Sequence, residues 1–468
     1  MSDSNYHGVP KHFFAIVLVA LSLLTGCTTY QAQPLPDRTV LADSLDVPVS
    51  EANERLTQIS GTHEINPADG LDMTEVAILA VLGNPDLKAT RARLEVANAQ
   101  AFAAGLLPDP QLSANLDKPT GNTAGLVDAW GVGLGYDIIP LITRQARIDA
   151  EQGTKDKVHL DILWQEWQVI QRARTLAVSY VLENQRIALL RNMRQLYQER
   201  YQHSVKGLAE GNVTLDANGT DLTALIDVFS QIEQLEQQHN QTRHDLNLLL
   251  GLRADVELTI AQPGAETPLE RSAIQARLDE LPQIRPDLLA LKAGYRAQED
   301  HVRAAILAQF PSISIGITRA RDTSGVYTSG FSIGVNLPLF SGNRGAIAIE
   351  RTTREQLFQE YQARLAQTQA DVSRLLELQD IIEAQRANLQ TYLPRLTDLV
   401  ERARKAYRQG DIDALTFLNM ESTWVNKRLE QITLQQSQWE NRIALQTLLA
   451  LADAEPIDTT PPIPDDQP

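Results

Sequence analysis

The residues best equipped for chemistry are few. Cys27 is the single cysteine among 468 residues, so neither an internal disulfide nor a cysteine-based metal cluster can form. His239 and His244 stand five apart on a segment of helical periodicity, with Glu233 and Glu236 close by. Two ligands share a helix face at a spacing of about four, so these side chains read as a solvated helix surface and not as a metal site. No Gly-rich phosphate loop, G-x-S-x-G elbow or H-E-x-x-H pair occurs. Nothing in the pattern calls for catalysis or a cofactor. What remains is the chemistry of surfaces, and the elements that carry those surfaces decide the reading.

The balance of charge sets the first limit. The net charge is -17, with a pI near 5.0. An excess of acid repels nucleic acid and anionic lipid surfaces, which excludes nucleic-acid partners and argues against phosphate-bearing ones in general. The one long apolar run, FFAIVLVALSLL at 13–24, is shorter than the roughly 20 residues a spanning helix needs. It follows Lys11 and precedes LTGC, which is the layout of a secretory signal over 1–26. LTGC resembles the bacterial lipobox, and that resemblance implies that Cys27 is lipidated and begins the mature chain. Thr28, where an Asp would favour inner-membrane retention, implies sorting to the outer membrane. An ordinary signal peptide that happens to end near a cysteine is the alternative.

Four short stretches alternate strictly. QLSANLD (111–117), WGVGLGYD (130–137), SISIGIT (312–318) and FSIGVNL (331–337) each place large apolar residues on one face and small or polar ones on the other. Trp130, Val132, Leu134, Ile313, Ile315, Phe331 and Ile333 belong to the first face. Ser113, Gly131, Gly133, Gly135, Ser312, Ser314, Gly334 and Asn336 belong to the second. A half-buried soluble sheet normally carries Lys, Glu, Arg and Thr on its outer face. Gly, Ser and Asn opposite an apolar face instead suit a barrel wall, with grease toward lipid and the small face lining a lumen. Phe310, Trp130, Tyr136 and Phe331 sit where an interfacial aromatic girdle is expected. A soluble sheet stays open as the alternative, because each run is shorter than the roughly 9–11 residues that span a membrane. Four strands cannot close, and open edges are not tolerated in lipid. Two copies would give a barrel filled by its own side chains, and three copies would leave room for water. The pattern therefore favours a trimeric conduit.

The chain also repeats itself. Asn84-Pro85-Asp86-Leu87 answers Arg285-Pro286-Asp287-Leu288 at a shift of 201, and the same shift takes Pro110 to Pro311, Ser113 to Ser314, Trp130 to Phe331 and Gly133 to Gly334. LLLGL (248–252) answers TLLAL (447–451) at a shift of 199. The reading is a linker over 27–71, one repeat over 72–262, a linker over 263–271, a second repeat over 272–453, and a tail over 454–468. Each repeat opens with an amphipathic helix and a second helix begun by the Pro-Asp-Leu element. Two strands follow, then two long helices, about 144–206 and 217–250 in the first repeat and 344–407 and 414–453 in the second. Helices of some 60 residues would be roughly 90 Å long, with narrow apolar stripes of coiled-coil character. Pro394 predicts a kink or break. The segments 28–70 and 456–468 read as extended, proline-spaced linkers.

This layout resembles the TolC-like outer-membrane factor family. The resemblance rests on the lipobox, the duplicated halves, RPDL followed by AAILAQFPSISIG (304–316), and NLPLFSGNRGAIA (336–348). It spans nearly the whole mature chain. In the first half YDIIPLITRQAR (136–147) stands where the second has the glycine turn, a departure from the pattern. The resemblance implies a mostly helical fold with a small transmembrane β part. It implies a homotrimer with a 12-stranded β-barrel in the outer membrane, continued by a periplasmic α-helical barrel. It also implies two partners, a periplasmic adaptor (membrane fusion) protein and an inner-membrane transporter. The hairpin tips, with Gly211 and Asp216 in the first repeat and Gly410, Asp411 and Asp413 in the second, would form the closed end and the adaptor dock. Some members carry a constricting aspartate ring where this chain has Thr416 and Asn419, so that ring does not carry over. Asp411 and Asp413 could replace it, or could simply cap the hairpin turn.

The expected function is thus the outer-membrane channel of a tripartite export system, for drugs or metal ions. Two alternatives stay open: the outer-membrane duct of type I protein secretion, and a non-porous lipid-anchored coiled-coil scaffold.

Overall fold

The computed structural model describes residues 30–59, 65–121, 124–264 and 269–451. Cys27, the 1–26 signal segment and the 454–468 tail lie outside the described residues. Residues 30–41 belong to a unit of their own and are irregular and largely exposed. All the described helices and strands belong to the second unit, from Ala42 on.

That unit opens with α1 (Asp46–Ile59), inside the segment expected to be an extended linker. Its helical state follows from docking. Val49 and Ala52 are buried in one cluster with Leu71, Leu79, Leu250 and Leu252. Backbone bonds fix the neighbouring chain: Ala42 N donates to Gly251 O, and Leu71 N to Thr259 O.

The order helix–helix–strand–strand–helix–helix then occurs twice. The first set is α2 (Met73–Gly83), α3 (Pro85–Gly105), β1 (Gln111–Asp117), β2 (Ala129–Asp137), α4 (Ile139–Ala209) and α5 (Leu215–Leu249). The second is α6 (Arg271–Ile284), α7 (Pro286–Leu307), β3 (Ser312–Arg321), β4 (Tyr327–Asn336), α8 (Arg344–Gln409) and α9 (Ala414–Leu449). One expectation fails here, and one alternative of a second is excluded. The helix α2 is not amphipathic. Asp72 and Glu75 close a capping box at its start, and Glu75 through Val81 are all buried, because α1, α4 and the 246–252 segment surround it. Nor does Pro394 break α8, which runs through it. Pro394 and Gln390 are both exposed, so the carbonyl that loses its helical partner can be hydrated.

The helix α4 has 71 residues, roughly 105 Å at 1.5 Å per residue. It pairs with α5 as α8 pairs with α9, and the two hairpins share a seam of Ile187, Leu190, Val228 and Ile232 against Ala403, Phe417, Leu418 and Val425. Leu225, Val228, Ile232 and Leu235 on α5 follow the 3–4 spacing of a narrow coiled-coil stripe.

Midway along, backbone meets backbone at Gly83 and Gly251. Gly251 holds φ +74, and a Cβ on it would collide with the Gly83 carbonyl. The Gly251→Ala variant must accept both a left-handed conformation and an overpacked contact that cannot yield. It is expected to lose about 2 kcal/mol or more in urea unfolding, and a loss under about 0.5 kcal/mol would contradict this packing.

The four strands form one antiparallel sheet in the order β1-β2-β3-β4. Three of them outrun the sequence expectation. β2 has nine residues, and β3 and β4 have ten each. That meets the roughly 9–11 residues a tilted membrane strand requires.

Candidate functional site

The sheet's two faces are set by register. On one face Ser113 lies opposite Gly133, Asn115 opposite Gly131, Gln111 opposite Gly135, Ser312 opposite Asn336, and Ser314 opposite Gly334. Between β2 and β3, Gly133 meets Thr318 and Gly135 meets Gly316. All eight small-face residues named from the sequence therefore share this surface. The other face carries Trp130 against Leu116, Val132 against Ala114, Leu134 between Leu112 and Ile317, Ile315 beside Ile333, Ile317 beside Phe331, and Ile313 beside Val335.

Among the described residues no helix covers the apolar face. Phe331 is 65% and Ile333 62% exposed, and every residue of β4 is exposed. A water-soluble sheet would bury this face. One aromatic is placed differently from the expectation. Phe331 lies mid-strand, and Tyr327 takes the strand end, where its ring meets the edge of Trp130 at 6.2 Å.

The small face is not bare. Apart from Gly135, its glycines are roofed by a short polar side chain from the next strand. A Cβ on Gly133 would lie 2.7 Å from Ser113 Oγ, one on Gly334 2.5 Å from Ser314 Oγ, and one on Gly316 2.8 Å from Ser332 Oγ. Glycine here makes room for a neighbour's hydroxyl or amide. The result is a thin, polar, low-relief surface, hydrated where it is open.

The long helices carry the second feature, two tips. At the first, α4 ends at Ala209 with Glu210 as its C-cap, Gly211 takes φ +75, and Thr214 caps α5 by accepting from Ala217 N at 3.2 Å. Asp216 stands in the first turn of α5, where its charge suits the helix dipole. At the second, Gly410 takes φ +80 and Asp413 caps α9, accepting from Thr416 N at 2.9 Å and from Thr416 Oγ1 at 2.8 Å. A Cβ on either glycine would meet nothing, so the left-handed turn alone demands them. The bonds from Thr416 hold the Asp413 carboxyl below the usual carboxylate range. The cap is therefore complete at neutral pH and is lost only as pH falls through that lowered value. Asp411 is exposed beside it. Tyr407 stacks on Phe417 at 4.9 Å behind the turn.

His239 is not on a solvated surface. It stacks on Tyr180 at 4.6 Å, and its Nδ1 lies 3.6 Å from the buried Glu183 carboxylate. Of its expected neighbours, Glu236 pairs with Arg191 at 2.6 Å. Among the described residues no three His, Asp or Glu side chains converge to hold a metal ion. No described helix is long and apolar enough to cross a membrane, which says nothing of the sheet.

The sequence reading passed over Arg285, which gathers four elements. Its guanidinium pairs with Asp287 at 2.7 Å, donates to Thr368 Oγ1 at 2.8 Å and Leu448 O at 3.3 Å, and lies 4.7 Å from the Trp164 ring. The RPDL motif was visible, but its partners lie far away in the chain.

Comparison with known proteins adds the following. The family model described as outer membrane efflux protein matches residues 278–451. The probable outer membrane lipoprotein SilC of Salmonella typhimurium is 23% identical over 79% of this chain and 84% of its own length. The cation efflux system protein CusC of Escherichia coli is 26% identical over 54% of this chain and 57% of its own length. The solved structure of the Campylobacter jejuni CmeC outer membrane channel superposes with a TM-score of 0.68 at 17% identity, covering 90% of this chain and 94% of that one.

Proposed function

We propose, from its place in the outer membrane efflux family, that this chain forms the outer-membrane channel of a tripartite export system. It lies in the outer membrane and reaches into the periplasm, and an adaptor and an inner-membrane pump complete the path. The observation that carries this reading is a sheet of membrane-spanning length whose apolar face is uncovered. It continues directly into 71- and 66-residue helices.

The working unit is a homotrimer. In the sheet, β1 and β4 pair on one side only, and lipid does not tolerate such edges. Three copies supply twelve strands and close the wall. The helices argue the same way. Ile349, Phe358, Ile381, Tyr392 and Leu399 of α8 are exposed, and neighbouring copies would cover them. Trp130, Val132, Leu134, Ile313, Ile315, Phe331 and Ile333 then face lipid. Ser113, Gly131, Gly133, Gly135, Ser312, Ser314, Gly334 and Asn336 line the lumen. Lipid attached at Cys27 anchors the mature N-terminus.

The cargo is small solutes, with metal cations favoured. SilC and CusC are among the relatives matched, beside the pyoverdine export protein OpmQ, and CusC is named a cation efflux protein. A net charge of -17 suits cation passage. Purified protein in planar bilayers is expected to conduct with cation selectivity. Anion selectivity would overturn the charge argument. Electrical silence together with a monomeric state in mild detergent would overturn the channel itself.

The tips form the periplasmic end, where the adaptor docks. Asp413 is committed to its cap, which leaves Asp411 to narrow the opening. Asp411→Ala is expected to raise resting conductance more than Asp413→Ala, whose main effect is a loosened turn. Equal conductance in wild type and Asp411→Ala would remove Asp411 from the constriction.

A further inference from the structure

The apolar face of the sheet is interrupted at one place. Along β3 the residues on that face run Ile313, Ile315, Ile317, Arg319, Arg321. The two arginines lie at the hairpin end, away from the helices, and successive same-face residues are about 6.6 Å apart. Val132 and Ser329 flank Arg319, and Trp130 and Tyr327 flank Arg321. With the helices in the periplasm, this end reaches the outer leaflet. An arginine is costly at the membrane midplane and nearly free at the interface, which accounts for the position. It does not account for what the arginines face.

Neither guanidinium has an ion-pair partner among the described residues. Arg321 is held over the Tyr327 ring at 5.6 Å, and its Nε is buried with no acceptor. The adjacent carboxylate, Asp322, is spent on its own turn. It accepts from Ser324 N, Ser324 Oγ and Val326 N, and those bonds, the Ser324 hydroxyl foremost, hold it below the usual carboxylate range. Two unpaired guanidiniums on one face, one of them oriented by an aromatic ring, present planar donor forks of the kind that match phosphate oxygens. Trp130 and Tyr327 beside them are the residues that settle at headgroup level. The chain's overall acidity does not oppose this, because charges farther away than about 8–10 Å are largely screened at physiological salt.

We propose that Arg319 and Arg321, with Trp130 and Tyr327, form a binding site on the outside of the wall for the phosphate of an outer-leaflet phosphorylated glycolipid. The proposal rests on the channel reading for the orientation of the sheet. Each channel would carry one such site per protomer, and the bound lipids would fix the depth of the wall in the membrane.

The test uses the full-length protein in phosphatidylcholine nanodiscs doped with a bis-phosphorylated glycolipid or its dephosphorylated form. Retained lipid is read by native mass spectrometry. Wild type is expected to retain the phosphorylated lipid at least tenfold better than the dephosphorylated one. Arg319→Gln/Arg321→Gln is expected to lose that preference, and Arg319→Lys/Arg321→Lys to keep part of it. Equal retention by wild type and the double Gln variant would overturn the site and leave the arginines as interfacial side chains reaching for water. Competition by millimolar inorganic phosphate alone, with no lipid preference, would overturn the lipid as occupant. Conductance is recorded on the same preparations. A wild type that conducts but shows no lipid preference defeats this site alone, whereas a silent one defeats the channel reading.

Discussion

Replacing Ile333 with Arg is expected to abolish assembly, while Ser332→Arg one position away leaves it intact. Ile333 sits in the middle of the apolar face, beside Ile315, and is 62% exposed in the single chain. In the proposed channel that exposure is to lipid. An Arg at the midplane of a barrel's lipid face costs about 2–4 kcal/mol. In the proposed trimer the cost would fall on all three protomers, and it competes with a total stability of only about 5–15 kcal/mol for a typical folded unit. Ser332 points the other way. It lies opposite Gly316, and a long charged side chain there extends into water. The pair thus isolates orientation from composition, because the same new charge enters the same strand. Trimer content in mild detergent and urea unfolding in bilayers are the measurements. If both variants behaved alike, the assignment of the two faces would be wrong. The Ser332→Arg channel should also conduct less, since it places bulk in a lumen that Gly and Ser otherwise keep thin.

The second large effect belongs to Arg285. Arg285→Met is expected to destabilise the chain by about 3–5 kcal/mol, the usual result of breaking a buried ion pair from one side. The pair is well buried, with side chains 2% and 7% exposed. Removal of the guanidinium leaves Asp287 with Arg364 at 3.6 Å, a half-exposed side chain, and with the Leu288 N–H. It also frees the Thr368 hydroxyl and the Leu448 carbonyl, and it uncovers the Trp164 ring. Trp164 lies on α4, so the loss loosens the joint between the two repeats and not just one helix end. The double variant Arg285→Met/Asp287→Leu should recover much of the stability, because a well-packed apolar pair can replace a buried ionic one at little cost. A single variant within about 1 kcal/mol of wild type, measured by urea unfolding, would show that the guanidinium is not what holds this joint.

The sequence alone fixed whatever depends on local period. Strict alternation in QLSANLD, WGVGLGYD, SISIGIT and FSIGVNL specified strands and sorted their side chains into two faces, because successive residues of a strand must point oppositely. Four such strands per chain cannot close a barrel by themselves. The Gly-containing interruptions at 210–213 and 409–413 marked both tips, because a left-handed turn there favours glycine.

Tertiary structure decided what depends on distant partners. What covers the apolar side of the helix at Asp46–Ile59 depends on tertiary structure, which docks Val49 and Ala52 against Leu250 and Leu252. The outer ends of β3 and β4 were hidden, since Arg319 and Arg321 interrupt the apolar alternation, and cross-strand pairing with Ser329 and Tyr327 places them in the sheet. His239 looked solvated until α4 brought Tyr180 and Glu183 against it. Arg285 looked like punctuation before a proline until Trp164, Thr368 and Leu448 closed around it. A strand or helix period is set by neighbours a few residues apart and is legible along the chain. Burial and register are set by partners on other elements, often far away along the chain, and they become definite only when those residues meet.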